Sequence, residues 1–240
     1  MSTDTPFTRN NLNSYLKELG KMFRKLSGTK MPAEIILIGG AAILANYGFR
    51  EVTYDIDAVI FASSTMKQAV NQVGDRLGLP NNWLNMDFKN TSSYSDKISE
   101  VSTYYKTFSN ILTVRTLTGA YLIAMKLMSG RQYKNDLSDI VGILWEHQKN
   151  GSPISREDVD RAVITLYGNA VALPPISQKT IDDAFTYGDY ERAYKEIRKN
   201  ESQAKDILLD ISKTYPGELK TDSIDAILER ARQKRLQGDD

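Results

Sequence analysis

Asp55 and Asp57 are separated by one residue, and Asp55 follows the pair Gly39-Gly40 by fifteen residues. That glycine pair ends the apolar run Ile35-Ile36-Leu37-Ile38. On a strand, side chains at i and i+2 share a face and stand about 7 Å apart. Two carboxylates so placed can hold Mg²⁺ between themselves and a triphosphate, because this cation takes hard oxygen ligands and keeps several waters. The metal would offset phosphate charge and align an attacking oxygen for in-line displacement. A strand that ends in two glycines lets a ligand approach the backbone. A helix starting there turns its unpaired N–H groups and positive dipole end toward that ligand. Taken singly, a glycine pair is most often a turn and an Asp-x-Asp is usually solvated. In the order strand, glycine pair, helix, strand, with Arg50 and Thr53 just ahead of the aspartates, they point to a site. Paired carboxylates on the inner side of an apolar strand are costly unless something compensates them.

Further along, Lys126 is the sole charge in residues 121–128. Its stem can cover apolar surface, or its ammonium can meet a β- or γ-phosphate as a point charge. Arg131 and Lys134 follow in a basic loop, solvated or clamping phosphates. Asp136 and Asp139 then lie one helical turn apart near a helix start, where capping and the dipole already favour carboxylates. Asp136 is the stronger candidate of the two. Trp83, Tyr94, Tyr104 and Tyr105 could stack a base, although at least two of them are expected in the core. The single histidine, His147, is best placed as a partner for a helix C-terminus. Gly39-Gly40 lacks the Gly-Lys-Ser/Thr continuation of a Walker A loop, and no Gly-x-Ser-x-Gly is present.

The elements that must position these groups follow from hydrophobic spacing. Helices are expected over 12–26, 41–47, 66–77, 117–128 and 136–148, and strands over 34–38 and 53–61. Two more strands are expected near 101–108 and 111–115. Gly151-Ser152-Pro153 punctuates the chain. Beyond it only helical spacing occurs, over 159–166, 181–197, 204–211 and 224–231. The expected fold is therefore α/β (α+β), a small mixed sheet with flanking helices over residues 1–150 and an all-helical region over 151–240.

Composition narrows the chemistry. The 240 residues are 41% hydrophobic and 25% charged with a net charge of +1, which is globular and not the profile of a strongly basic DNA packager. With no cysteine and one histidine, thiolate chemistry, disulfides, cysteine-bound zinc and two-histidine mechanisms are excluded. Residues 151–240 hold fourteen basic and seventeen acidic side chains, whereas residues 89–134 hold seven basic and two acidic ones. A positive stretch near carboxylates suits a phosphate-bearing substrate. Residues 1–10 are polar and do not read as a signal peptide, and no apolar run is long enough to cross a bilayer. A cytoplasmic protein that avoids the membrane is expected.

Gly39-Gly40-Ala41-Ala42, Arg50, Thr53 and Asp55-Ile56-Asp57 resemble the signature of the DNA polymerase β-type nucleotidyltransferase superfamily. Lys126, Arg131, Lys134 and Asp136-Leu137-Ser138-Asp139-Ile140 resemble the second signature of the branch containing the abortive-infection, type IV toxin nucleotidyltransferases. Residues 30–150 also resemble an uncharacterised bacterial family related to that branch, in which Trp83-Leu84-Asn85 recurs. The resemblance implies a sheet of the nucleotidyltransferase type and transfer of a nucleoside monophosphate from an NTP to an acceptor hydroxyl. It implies Mg²⁺ or Mn²⁺ as cofactor, with Asp55 and Asp57 as ligands. Gly39, Gly40, Thr53, Arg131 and Lys134 would bind the nucleotide, and Lys126 would neutralise its phosphates. The implied acceptor is an RNA such as tRNA, or a protein, and the implied partner is a cognate antitoxin.

The sequence departs from the pattern in two places. Many relatives have Gly-Ser where this chain has Gly40-Ala41, so that hydroxyl contact to phosphate is absent. No Asp or Glu occurs between Ile111 and Gly130 to supply the usual third carboxylate. Asp87 or Asp136 would substitute, either as a further metal ligand or as a general base. The unfilled strand position favours a rival reading, a non-catalytic nucleotide-binding or regulatory module with the same fold. An aminoglycoside-type enzyme would instead call for an acidic acceptor cleft in place of the basic 89–134 stretch.

Overall fold

The computed structural model describes residues 6–28, 31–130, 136–169 and 173–214. Strand β1 (Phe7–Thr8) leads into helix α1 (Arg9–Ser27), followed by β2 (Ala33–Leu37), α2 (Gly39–Asn46), β3 (Val52–Thr53), β4 (Ile56–Phe61) and α3 (Thr65–Leu77). Next come β5 (Leu84–Asn85), a 3₁₀ turn (Asp87–Asn90), α4 (Ile98–Val101), β6 (Thr103–Phe108) and β7 (Leu112–Thr116). Helices α5 (Gly119–Ser129), α6 (Asp136–Lys149), α7 (Arg156–Tyr167), α8 (Pro175–Phe185) and α9 (Tyr190–Thr214) complete the described chain. The expected mixed sheet with flanking helices and a helical C-terminal region is what the structure shows. The helix expected over 224–231 lies outside the described residues.

The main sheet has five strands in the order β5-β4-β2-β7-β6. β2 is its middle strand, antiparallel to β4 and parallel to β7. Ile35, Ile36 and Leu37 are fully buried, which is why this strand reads as an unbroken apolar run without alternation. β6 closes one edge with a register shift between Tyr104 and Lys106, a bulge that blunts an edge otherwise open to further pairing.

Three local structures differ from the sequence expectation. The helices expected over 181–197 and 204–211 are instead α8, which ends at Phe185, and α9, which starts at Tyr190 and runs unbroken through the second stretch. The stretch 53–61 is not one strand. It breaks after Thr53, because Val52 and Thr53 pair with Thr8 and Phe7 in a separate two-stranded ribbon, and the main-sheet strand restarts at Ile56. The second helix begins at Gly39 rather than residue 41, so the glycine pair forms its first turn.

α1 is amphipathic, with Leu12, Leu16, Leu19 and Phe23 buried, and it packs against α3. A reciprocal cap starts it: Thr8 Oγ1 accepts the Asn11 N–H, and Asn11 Oδ1 accepts the Thr8 N–H at 2.7 Å. The helices after residue 150 pack on α5 and α6. Their inward residues Val159, Val163, Ile181 and Ala184 join the same buried cluster as the sheet. Among the described residues, no helix is long and apolar enough to cross a membrane.

Candidate active site

The end of β2 and the first turn of α2 bring backbone close to the aspartates of β4. Gly39 has φ +54°, a left-handed conformation in which a side chain costs about 1–2 kcal/mol. A Cβ on Gly39 would lie 3.8 Å from Asp57 Oδ2. The Ile38 N–H donates to the Asp57 carbonyl at 2.9 Å, fixing β4 against this turn. Asp57 is half-buried on β4, whereas Asp55 is exposed and sits in the break just before that strand. Thr53 is buried, and its hydroxyl lies 3.4 Å from Asp55 Oδ1.

Gly40 is the tightest point of this turn. A Cβ there would lie 2.5 Å from Thr53 Oγ1 and 2.9 Å from Arg50 Nη2. Gly40→Ala is therefore expected to lower stability by about 1–3 kcal/mol, the scale of overpacking, and to displace Arg50. Thermal denaturation checks the first effect, and an unchanged Tm would contradict it.

Arg50 links this turn to a second group of charges. Its Nη1 meets Asp139 Oδ1 at 2.7 Å and Oδ2 at 2.5 Å, and its Nε donates to the Val52 carbonyl at 3.1 Å. Lys126 Nζ lies 2.7 Å from Asp139 Oδ2 and 2.6 Å from Asp136 Oδ1. Ser129 Oγ donates to Asp136 Oδ2 at 2.7 Å. Asp136 and Asp139 are each only 3% exposed, so two part-buried cations face two buried anions. Burial by itself would lower the Lys126 pKa, but the charges of Asp139 and Asp136 outweigh burial and hold it above the ordinary lysine value. α5 and α6 supply these groups from adjoining ends, and α6 opens with both aspartates in its first turn.

The structure thus joins Gly39, Gly40, Thr53, Asp55 and Asp57 at one turn, and Lys126, Asp136 and Asp139 in one ion cluster. Asp87 is exposed at the start of the 3₁₀ turn, two residues beyond Asn85, which pairs with Asp57 across β4 and β5. Arg131 and Lys134 lie outside the described residues. Among the described residues, no three acidic or histidine side chains converge into a complete metal cage. The donors that are present, the Asp55 and Asp57 carboxylates, fit a cation that takes hard oxygens and leaves its other positions to water and phosphate.

Sequence reasoning gave Arg50 no role and Asp139 a lesser one, and it missed Ser129. Arg50 is the one charge between Glu34 and Glu51, and Asp139 is followed by the apolar run Ile140-Val141 one turn after Asp136. Those were the available signals. Of the aromatic candidates, Trp83 is core: it is buried, and its Nε1 donates to the Val70 carbonyl at 3.1 Å. Tyr94 packs edge-on against Phe88, and Tyr105 donates to Asn13 Oδ1. Tyr104 is exposed on β6. His147 lies near the C-terminus of α6, with Nε2 3.1 Å from the Tyr47 hydroxyl and Nδ1 3.0 Å from the Ser152 carbonyl. It lines a cleft of about 460 Å³ at the N-terminal end of α5, opposite the end that carries Lys126.

No curated protein and no solved structure matches the chain. Residues 14–146, more than half of its length and including every group of the turn and the ion cluster, match the family described as nucleotidyltransferase of unknown function (DUF6036), and the chain belongs to that family.

Proposed function

We propose that the protein transfers a nucleoside monophosphate from an NTP to an acceptor hydroxyl in a Mg²⁺- or Mn²⁺-dependent reaction. The observation that carries this reading is the approach of Asp57, with Asp55 beside it, to the glycine turn that opens α2. Membership of a nucleotidyltransferase family supports it. Asp55 and Asp57 would hold the metal, which when bound supplies charge compensation for the triphosphate. Gly39 leaves room for phosphate oxygens at the helix N-terminus, whereas the space over Gly40 is taken by Thr53 and Arg50. The acceptor oxygen bonds to the α-phosphorus as the bond to the β-phosphate oxygen breaks. Pyrophosphate leaves with the electron pair, and the hydroxyl proton passes to water or to the exposed Asp87. Asp136 already engages both oxygens with Lys126 and Ser129, so its role here is to hold Lys126. Arg50 and Lys126 are balanced by Asp139 and Asp136, so they would hold the wall behind the turn in place, and Thr53 would orient Asp55.

By resemblance to the type IV toxin branch, the acceptor is an RNA such as tRNA, and a cognate antitoxin would control a cytoplasmic, toxin-like or phage-defence activity. A non-catalytic nucleotide-binding module is the second reading, favoured by the lack of a third converging carboxylate among the described residues. Calorimetry with each NTP separates outcomes. Binding is expected in Mg²⁺ and is expected to fall at least tenfold in EDTA. Metal-independent binding without any transfer would favour the second reading, and no binding of any NTP would contradict both.

A further inference from the structure

α9 lies wholly beyond the family-matched residues, yet it bonds to the residue before Arg50 and to one between Asp136 and Asp139. The Tyr194 hydroxyl donates to the Phe49 carbonyl at 2.9 Å. Its ring meets Phe49 at 71° with centroids 5.4 Å apart, and it leans on Trp145 at 5.6 Å. Phe49 is wedged from the other side by α6, where a Cβ on Gly142 would lie 2.6 Å from Phe49 Cε2. The next residue is Arg50, whose guanidinium grips Asp139.

Seven residues on, about two helical turns and so on the same face of α9, Glu201 Oε1 accepts the Ser138 N–H at 3.1 Å. Ser138 stands between Asp136 and Asp139 in the first turn of α6, where N–H groups have no acceptor within the helix. A carboxylate there also complements the helix dipole. Burial raises the Glu201 pKa, while the bonds from Ser138 and the charge of Arg198, 3.4 Å away on the same helix, oppose that rise. Asp139 on α6 adds to the rise.

We propose that α9 is a positioning element of the nucleotide site, with Tyr194 setting the segment that carries Arg50 and Glu201 setting the first turn of α6. This rests on the nucleotidyl-transfer reading above, and it extends the site past the family-matched residues. Neither residue touches the reacting atoms; each acts through backbone that carries Arg50, Asp136 and Asp139.

The test is Mg²⁺·NTP affinity and melting, measured on the full chain for Glu201→Ala, Glu201→Gln, Tyr194→Phe and Ile197→Ala. Loss of one positioning hydrogen bond is expected to weaken binding about 5–10-fold in Glu201→Ala and Tyr194→Phe. Glu201→Gln keeps an acceptor oxygen and is expected to bind within about twofold of the parent. Ile197 packs on the core and makes no side-chain hydrogen bond, so Ile197→Ala is expected to melt lower yet bind as the parent does. Parent-like binding in Glu201→Ala and Tyr194→Phe, with only a lower melting temperature, would overturn the proposal and leave the nucleotide reading standing. Equal weakening in Glu201→Gln and Ile197→Ala would also overturn it, since loss of packing would then explain everything. A parent protein that binds no NTP would overturn the nucleotide reading itself, and the positioning role with it.

Discussion

Lys126→Met is expected to destabilise the protein by about 3–5 kcal/mol, the usual result of leaving buried charge without its partner. Lys126 is the shared partner of Asp136 and Asp139, and its side chain is only 12% exposed. Without it, Asp139 keeps Arg50, while Asp136 keeps the Ser129 hydroxyl and loses the Lys126 ammonium. For a chain of this length the corresponding fall in Tm is roughly 10 °C. Lys126→Met combined with Asp136→Asn is expected to cost less than the sum of the two single changes, because the two side chains interact directly and each single change loses that same contact. Thermal and urea denaturation of the three variants check this. A loss below about 1 kcal/mol for Lys126→Met would show that the cluster does not depend on its ammonium.

The pH dependence has a definite sign. The folded-state pKa of Lys126 is raised, so its contribution is fully present below the unfolded lysine value of about 10.4 and is lost as pH rises through the folded value. Stability measured between pH 7 and pH 9 is therefore expected to show no loss from this group. The difference between the parent and Lys126→Met is expected to shrink only in more alkaline solution.

Much of the framework was readable because it is local. The β2 run is apolar on both faces and stops at glycines, so strand and turn announce themselves. The helices α1, α3 and α6 follow from spacing and breakers. Asp57 was legible for the same reason: alternation along β4 fixes its face. Asp55 was only half legible. Its place off the strand follows from the pairing of β3 with β1, which joins Thr53 to Phe7 across the chain, and nothing local signals a two-residue ribbon. The ion cluster shows the same limit. Asp136 and Lys126 are ten residues apart and were both singled out, but the Arg50–Asp139 pair spans 89 residues. The Tyr194–Phe49 bond spans 145, and no periodicity encodes which helix face meets which loop. The expected free lysine for phosphate appears instead as a lysine already paired with two carboxylates.

The second large effect concerns the aspartates of the turn. Asp55→Asn and Asp57→Asn are each expected to lower nucleotidyl transfer by on the order of 100-fold or more, the scale on which single charge-stabilising groups act. The amide keeps the shape of the carboxylate and loses the charge that would hold a cation. Asp55 is exposed and lies outside the ion cluster, so Asp55→Asn is expected to melt within about 3 °C of the parent, a change under about 1 kcal/mol, and Asp57→Asn, which keeps the side chain's shape, is expected to remain folded. This separates them from Lys126→Met, whose expected defect is in the fold. A metal effect on activity should follow the same logic: an oxygen-only site favours Mg²⁺ or Mn²⁺ over zinc.

The most direct measurement is label transfer. The full chain is incubated with each α-³²P-labelled NTP, Mg²⁺ and total RNA or cell lysate, with and without EDTA, alongside Asp55→Asn and Asp57→Asn. The expected result is label on an acceptor in the parent reaction only, abolished by EDTA and by either substitution. Label transfer that persists in excess EDTA, or that both aspartate variants carry out as well as the parent, would contradict a metal-dependent nucleotidyl transfer at the Asp55–Asp57 turn.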